Sequence, residues 1–82
     1  MTSTIEISLY PLRDDYPSHV IRFLSKLKSI PDVDINTNGM STIIIGEYSA
    51  LWKNLGALME EEMASGLSLF VMKVAPGRRE YV

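Results

Sequence analysis

The sequence predicts an α+β sandwich: a four-stranded antiparallel sheet with two helices on one face. Three observations carry that prediction. Two stretches of helical periodicity, at about residues 16–29 and 50–64, are set among four short segments of strand character. The resulting order is β-α-β-β-α-β, which right-handed crossovers close into the ferredoxin-like arrangement. Between the second and third strands stands Asn38-Gly39, a two-residue hairpin signal, because both residues tolerate positive φ.

In the first strand, residues 4–10, Ile5, Ile7 and Leu9 alternate with Glu6, Ser8 and Tyr10, and Pro11 ends the run because it has no N–H to give a ladder. Asp14 or Asp15 is placed to cap the first helix, with Pro17 in its first turn, where a missing N–H costs nothing. Val20, Phe23, Leu24 and Leu27 form its apolar stripe, and Pro31 closes it. Val33, Ile35 and Thr37 alternate with Asp34, Asn36 and Asn38 in the second strand, and the third covers about 40–46 and stops at Gly46. Ser49 is the expected cap of the second helix, whose stripe is Leu51, Leu55, Leu58 and Met59. Gly66 stands where a left-handed cap is expected. The fourth strand is 67–74, halted by Pro76-Gly77, and a short charged tail follows.

Eighty-two residues with no cysteine make one domain near the lower size limit for a self-sufficient core. A disulfide framework, a thiolate metal site and a cysteine nucleophile are excluded. Eight Lys and Arg against ten Asp and Glu give a formal charge of −2, and the cations are scattered, so no phosphate-binding stripe for nucleic acid exists. No apolar run approaches the roughly 20 residues of a membrane span, and Met1-Thr2-Ser3-Thr4 does not open a secretory signal. A cytoplasmic protein is the expectation.

Ile43-Ile44-Ile45 and Leu69-Phe70-Val71-Met72 run without a polar break. A sheet covered on one side only should alternate, so a second cover is expected. A second copy of the chain, in a dimer or tetramer packed through the sheet, is the simplest. Glu6, Ser8 and Tyr10 project from the middle of that uncovered face as polar groups in an apolar surround, the chemistry of a small-molecule pocket. Elsewhere the residues read as inert. His19 has no recognisable partner and is expected to be solvated. Glu60-Glu61-Glu62 reads as a solvated acidic face, and Tyr48 and Trp52 as packing. No nucleophilic triad, phosphate loop, metal-ligand cluster or dinucleotide fingerprint is present, so neither catalysis nor a cofactor is expected.

Ile7-Ser8-Leu9-Tyr10-Pro11-Leu12, Asn38-Gly39-Met40-Ser41-Thr42 and Gly46 resemble the YkoF-like thiamine/hydroxymethylpyrimidine-binding family over nearly the whole chain. The resemblance implies a ferredoxin-like domain assembling through its sheet and binding thiamine or its pyrimidine moiety, for salvage or transport. It implies a ligand set in which Glu6 meets the amine or ring nitrogen of an aminopyrimidine. Ser8, Asn38, Ser41 and Thr42 would add hydrogen bonds, and Tyr10, Phe70 and Met72 would wall the ring.

Two other functions stand beside this one. The apolar face could serve assembly alone, in an interaction protein without a ligand. Or Arg13 and Asn38 could serve an acylphosphatase-like hydrolase, against which Asp14 and Asp15 place negative charge at the helix N-terminus where the phosphate would sit.

Overall fold

Residues 1–80 are described by the computed structural model. The elements are β1 (Thr2–Pro11), α1 (Tyr16–Leu27), β2 (Asp34–Thr37), β3 (Thr42–Glu47), α2 (Tyr48–Ser65) and β4 (Ser68–Pro76). All neighbouring strands are antiparallel, in the spatial order β2-β3-β1-β4. This is the ferredoxin-like sandwich that the sequence predicts.

The two helices bury their stripes against one face of the sheet. Ile5 and Ile7 of β1, Ile44 of β3, Phe23 and Leu27 of α1, and Leu51 and Leu55 of α2 are all at most 3 % exposed. Full burial of each is worth roughly 1.5–3 kcal/mol. The same face of β4 carries Phe70 and Met72, because Leu9 pairs with Phe70 and Ile7 with Met72. The Phe70 ring lies 5.2 Å from that of Phe23. The expectation that Phe70 and Met72 stand on the uncovered face is therefore corrected. Their outward neighbours are Leu69 and Val71, each 53 % exposed.

The element ends show where local chemistry overrode the simplest reading. The Asp15 side chain does not cap α1 and binds His19 instead. Glu47, not Ser49, caps α2, accepting the Ala50 N–H at 3.0 Å. Neither Asn38 nor Gly39 takes a positive φ. Asn38 Oδ1 instead accepts the N–H groups of Met40 at 2.7 Å and Ser41 at 3.0 Å. That local turn holds the chain off the ladder until Thr42.

The chain itself supplies part of the outer cover. Thr4 Oγ1 donates to the Gly77 carbonyl at 2.8 Å and accepts the Arg79 N–H at 2.9 Å. Arg78 reaches Asp34 at 2.5 Å. Residues 77–80 thus lie over the end of the sheet where Ile45, on the outer face, is only 3 % exposed. The short charged tail is a strap held through Glu80, and the last two residues fall outside the described ones.

Candidate functional site

β1 outruns β3. Its ladder with β4 extends to Pro11, but its ladder with β3 stops at the Ile7–Thr42 pair. The missing length leaves a notch in the sheet, closed by the 38–41 loop on one side and by the start of α1 on another. The notch is a cavity of about 450 Å³, inside the size range of small-molecule sites. Every residue from Ile7 to Leu12 lines it. Successive strand residues point to opposite faces, so a cavity touching all of them sits at the strand's edge, not on either face.

Its walls are apolar: Ile7, Leu9, Val20, Phe23 and Leu24 towards the helices, with Tyr10, Leu12 and Tyr16 at the rim. Its polar groups come from β2, β3, the 38–41 loop and Ser8 of β1. Thr37 and Thr42 share a hydroxyl hydrogen bond of 3.0 Å. Ser8 Oγ donates to the Met40 carbonyl at 3.3 Å. Because Asn38 Oδ1 is occupied by the loop's own N–H groups, its amide nitrogen is the group left to serve a ligand.

Five of the eight residues singled out from sequence therefore meet here: Ser8, Tyr10, Asn38, Ser41 and Thr42. Glu6 does not line the cavity. It sits on the outer face, where its carboxylate accepts from Ser41 Oγ at 3.1 Å and lies 3.7 Å from Lys73 Nζ. Thr42 and the two β4 residues face the helices, with Phe70 and Met72 away from the notch. Sequence reasoning missed Leu12, Tyr16 and Val20. Their only signal was position, at the junction between a strand that runs long and the helix that follows it.

The wall formed by residues 12–16 is fastened from behind by an ionic cluster. Glu62, 4 % exposed, accepts from Arg22 at 2.8 and 3.1 Å and from Arg13 at 3.2 Å. Arg13 also donates to the Ser65 carbonyl at 2.8 Å and to its hydroxyl at 2.9 Å. His19 Nε2 is 2.8 Å from the Asp15 carboxylate, and Nδ1 lies 3.1 Å from Arg13, 2.7 Å from Arg22 and 3.3 Å from the Glu62 carboxylate. The expectations of a solvated His19 and a wholly solvated Glu60–Glu62 run are corrected, since His19 is 6 % exposed. Burial pushes the Glu62 carboxyl up, but the hydrogen bond and charge of Arg22, the charge of His19 and the Ser65 hydroxyl together hold it below its ordinary value. Lys26 pairs with Glu61, so cations on and beside α1 offset the acidic end of α2, which its own helix dipole disfavours. Arg13, the residue that suggested a hydrolase, is committed to this cluster.

Among the described residues, no cluster of three or more acidic or histidine side chains is placed to hold a metal ion. No helix among them is long and apolar enough to cross a membrane.

Solved structures share this architecture. A protein of Streptococcus pneumoniae superposes with a TM-score of 0.83 at 17 % identity, covering 95 % of this chain and 89 % of its own. A Thermotoga maritima protein described as a candidate thiamine biosynthesis/salvage protein gives 0.79 at 14 % identity, over 90 % of this chain and 82 % of its own. A Bacillus cereus domain of the group called domain of unknown function 77 gives 0.73 at 19 %, over 92 % and 75 %. No family model and no curated sequence matches the chain. At these identities the likeness establishes the fold.

Proposed function

We propose that the chain is a non-catalytic binding module of the YkoF-like kind. It holds an aminopyrimidine, thiamine or its hydroxymethylpyrimidine moiety, in the notch beside β1, in support of salvage or transport. The observation that carries this reading is the convergence of Ser8, Asn38, Ser41 and Thr42 on one apolar-walled cavity of about 450 Å³. The apolar walls and the Tyr10 rim would flank a flat ring, with the loop amide and hydroxyls at its edge. Glu6, through its bond to Ser41, positions the loop and complements a cationic thiazolium at the outer mouth. The salvage label on the Thermotoga neighbour supports the same direction.

Thermal-shift screening against thiamine, 4-amino-5-hydroxymethyl-2-methylpyrimidine and unrelated bases tests it. A rise in Tm with the two pyrimidines is expected. Thr42→Val should weaken binding by about tenfold, the worth of one hydrogen bond, and Asn38→Ala, which also removes the acceptor that holds the 38–41 turn, by more than that. Absence of any shift at millimolar ligand sinks the proposal.

The same reading includes a homo-oligomer formed through the outer face of the sheet. Tyr10, Leu69 and Val71 stand there side by side, about half exposed, and the strap covers only the opposite end. Val71→Asp should shift the sedimentation coefficient to that of a monomer, whereas a wild-type chain already monomeric at high micromolar concentration removes this element. If Glu6→Gln alters association but no pyrimidine ever binds, the chain is an interaction protein without a ligand.

A further inference from the structure

The notch leaves main-chain groups of β1 open, and the register says which. Leu12 N–H donates to the Leu67 carbonyl at 2.9 Å, and Gly77 N–H donates to the Thr2 carbonyl at 2.8 Å. In an antiparallel ladder, alternate residues of a strand address alternate neighbours. Even-numbered residues of β1 therefore turn both N–H and C=O towards β4. Odd-numbered residues turn theirs towards β3, consistent with Tyr48 N–H on the Met1 carbonyl at 2.8 Å. Ser3, Ile5 and Ile7 are met there by Gly46, Ile44 and Thr42. Leu9 is the next in line and continuing the register would bring Met40 against it. Met40 is held away: its N–H goes to Asn38 Oδ1 and its carbonyl receives Ser8 Oγ. Among the described residues the Leu9 N–H and C=O have no protein partner, and Leu9 lines the cavity.

We infer that the Leu9 main chain is the recognition edge of the notch. Its N–H donates to a ring nitrogen and its C=O accepts from the adjacent exocyclic amine of a planar heterocycle, as a partner residue exchanges both bonds in a narrow ladder pair. This rests on the reading of the notch as the pyrimidine site, and it deepens that reading by fixing the ligand's hydrogen-bonding pattern: one acceptor beside one donor. A ligand that displaces water from the notch must replace the bonds that water made to these two groups, or leave them unpaired at a penalty. The next slot on the edge is Pro11, which has no N–H, so the open edge is one residue long. That suits a small ring and does not suit strand addition by a peptide, which needs a run of pairs.

Amide-resolved NMR titration of the ¹⁵N-labelled chain tests this without altering it. The probes are 4-amino-5-hydroxymethyl-2-methylpyrimidine and its analogue lacking the 4-amino group. The Leu9 amide proton should move downfield and exchange more slowly with solvent in the presence of the first probe. The analogue, which leaves the Leu9 carbonyl unpaired, should bind about tenfold more weakly or worse. If Asn38, Ser41 and Thr42 respond at saturation while Leu9 does not, and both probes bind equally, recognition is by side chains and the inference is overturned with the binding site intact. If no cavity residue responds to either probe, the site reading fails and takes this inference with it.

Discussion

Replacing Glu62 with alanine will cost about 3 kcal/mol, the usual penalty for removing one partner of a buried ion pair, and lower Tm by about 15 °C in a chain of this size. The carboxylate is almost fully buried, and Arg13, Arg22 and His19 all converge on it. Without it, the guanidinium of Arg13, itself only 21 % exposed, keeps its desolvation cost and loses its counter-charge. Glu62→Gln preserves shape and some hydrogen bonding but not charge, so about 2 kcal/mol is expected. The pH dependence carries a second signature. The folded carboxyl is held below its ordinary 4.5, so the unfolded chain binds the proton more tightly. The stabilisation is therefore fully present above that ordinary value and is lost as pH falls through the lowered folded value. Asp15 is lowered by its hydrogen bond to His19, and Glu47 by the Ala50 N–H, so both act in the same direction. Acid denaturation of the wild type should begin below about pH 4.5 and be shallower in Glu62→Gln. Urea melts at pH 7 and pH 4 supply the measurement. A loss under about 1 kcal/mol at neutral pH would mean that the cluster is no more than a surface ion pair.

That cluster marks where the sequence stopped being readable. The parity of β1 was legible because Glu6, Ser8 and Tyr10 interrupt its apolar residues, and the order of elements followed from periodicity. Parity was not legible in Leu69-Phe70-Val71-Met72, where no polar residue marks a face. Only pairing with β1 puts Phe70 and Met72 under the helices. His19 looked solitary because Arg13 comes from the loop before α1 and Glu62 from the far end of α2, brought together by the fold, although Asp15 and Arg22, four residues before it and three after, were within reach of helical spacing. The hairpin misled in a productive way. Asn38-Gly39 has the composition of a tight two-residue turn, but the Asn38 side chain captures two N–H groups and delays β3 to Thr42. Had β3 begun at residue 40 as the pattern suggests, Met40 would pair with Leu9 and fill the notch. The candidate site thus exists because one local turn outcompetes two residues of ladder. Asn38 is one of the residues that define the cavity as well as one that lines it.

Gly66→Ala will be the most damaging single-methyl change in the chain, and its cost will depend on Arg13. Gly66 has φ 158° and ψ −175°, not the left-handed helical cap expected from its position after α2. Residues with a side chain avoid this region at a cost of about 1–3 kcal/mol. Space adds to conformation: a Cβ at residue 66 would stand 2.0 Å from Arg13 Nη1 and 2.7 Å from Cζ. The guanidinium is the mobile end of a long side chain, but it is fixed by Ser65 and Glu62. It can retreat only by giving up those bonds. A total of about 4 kcal/mol is expected from the two effects together. Arg13→Ala alone should cost about 2 kcal/mol, since Glu62 keeps Arg22. In the double variant the clash has no second partner, so the losses should fall short of additivity by about 2 kcal/mol. Urea denaturation of the four chains measures that coupling directly, and additivity within about 0.5 kcal/mol would show that the methyl and the guanidinium do not compete for the same space. The coupling also reaches the cavity. Arg13 anchors the segment that carries Leu12 and Tyr16, so Arg13→Ala should weaken pyrimidine binding at a temperature where the variant is still folded, by loosening a wall that the ligand must otherwise order itself.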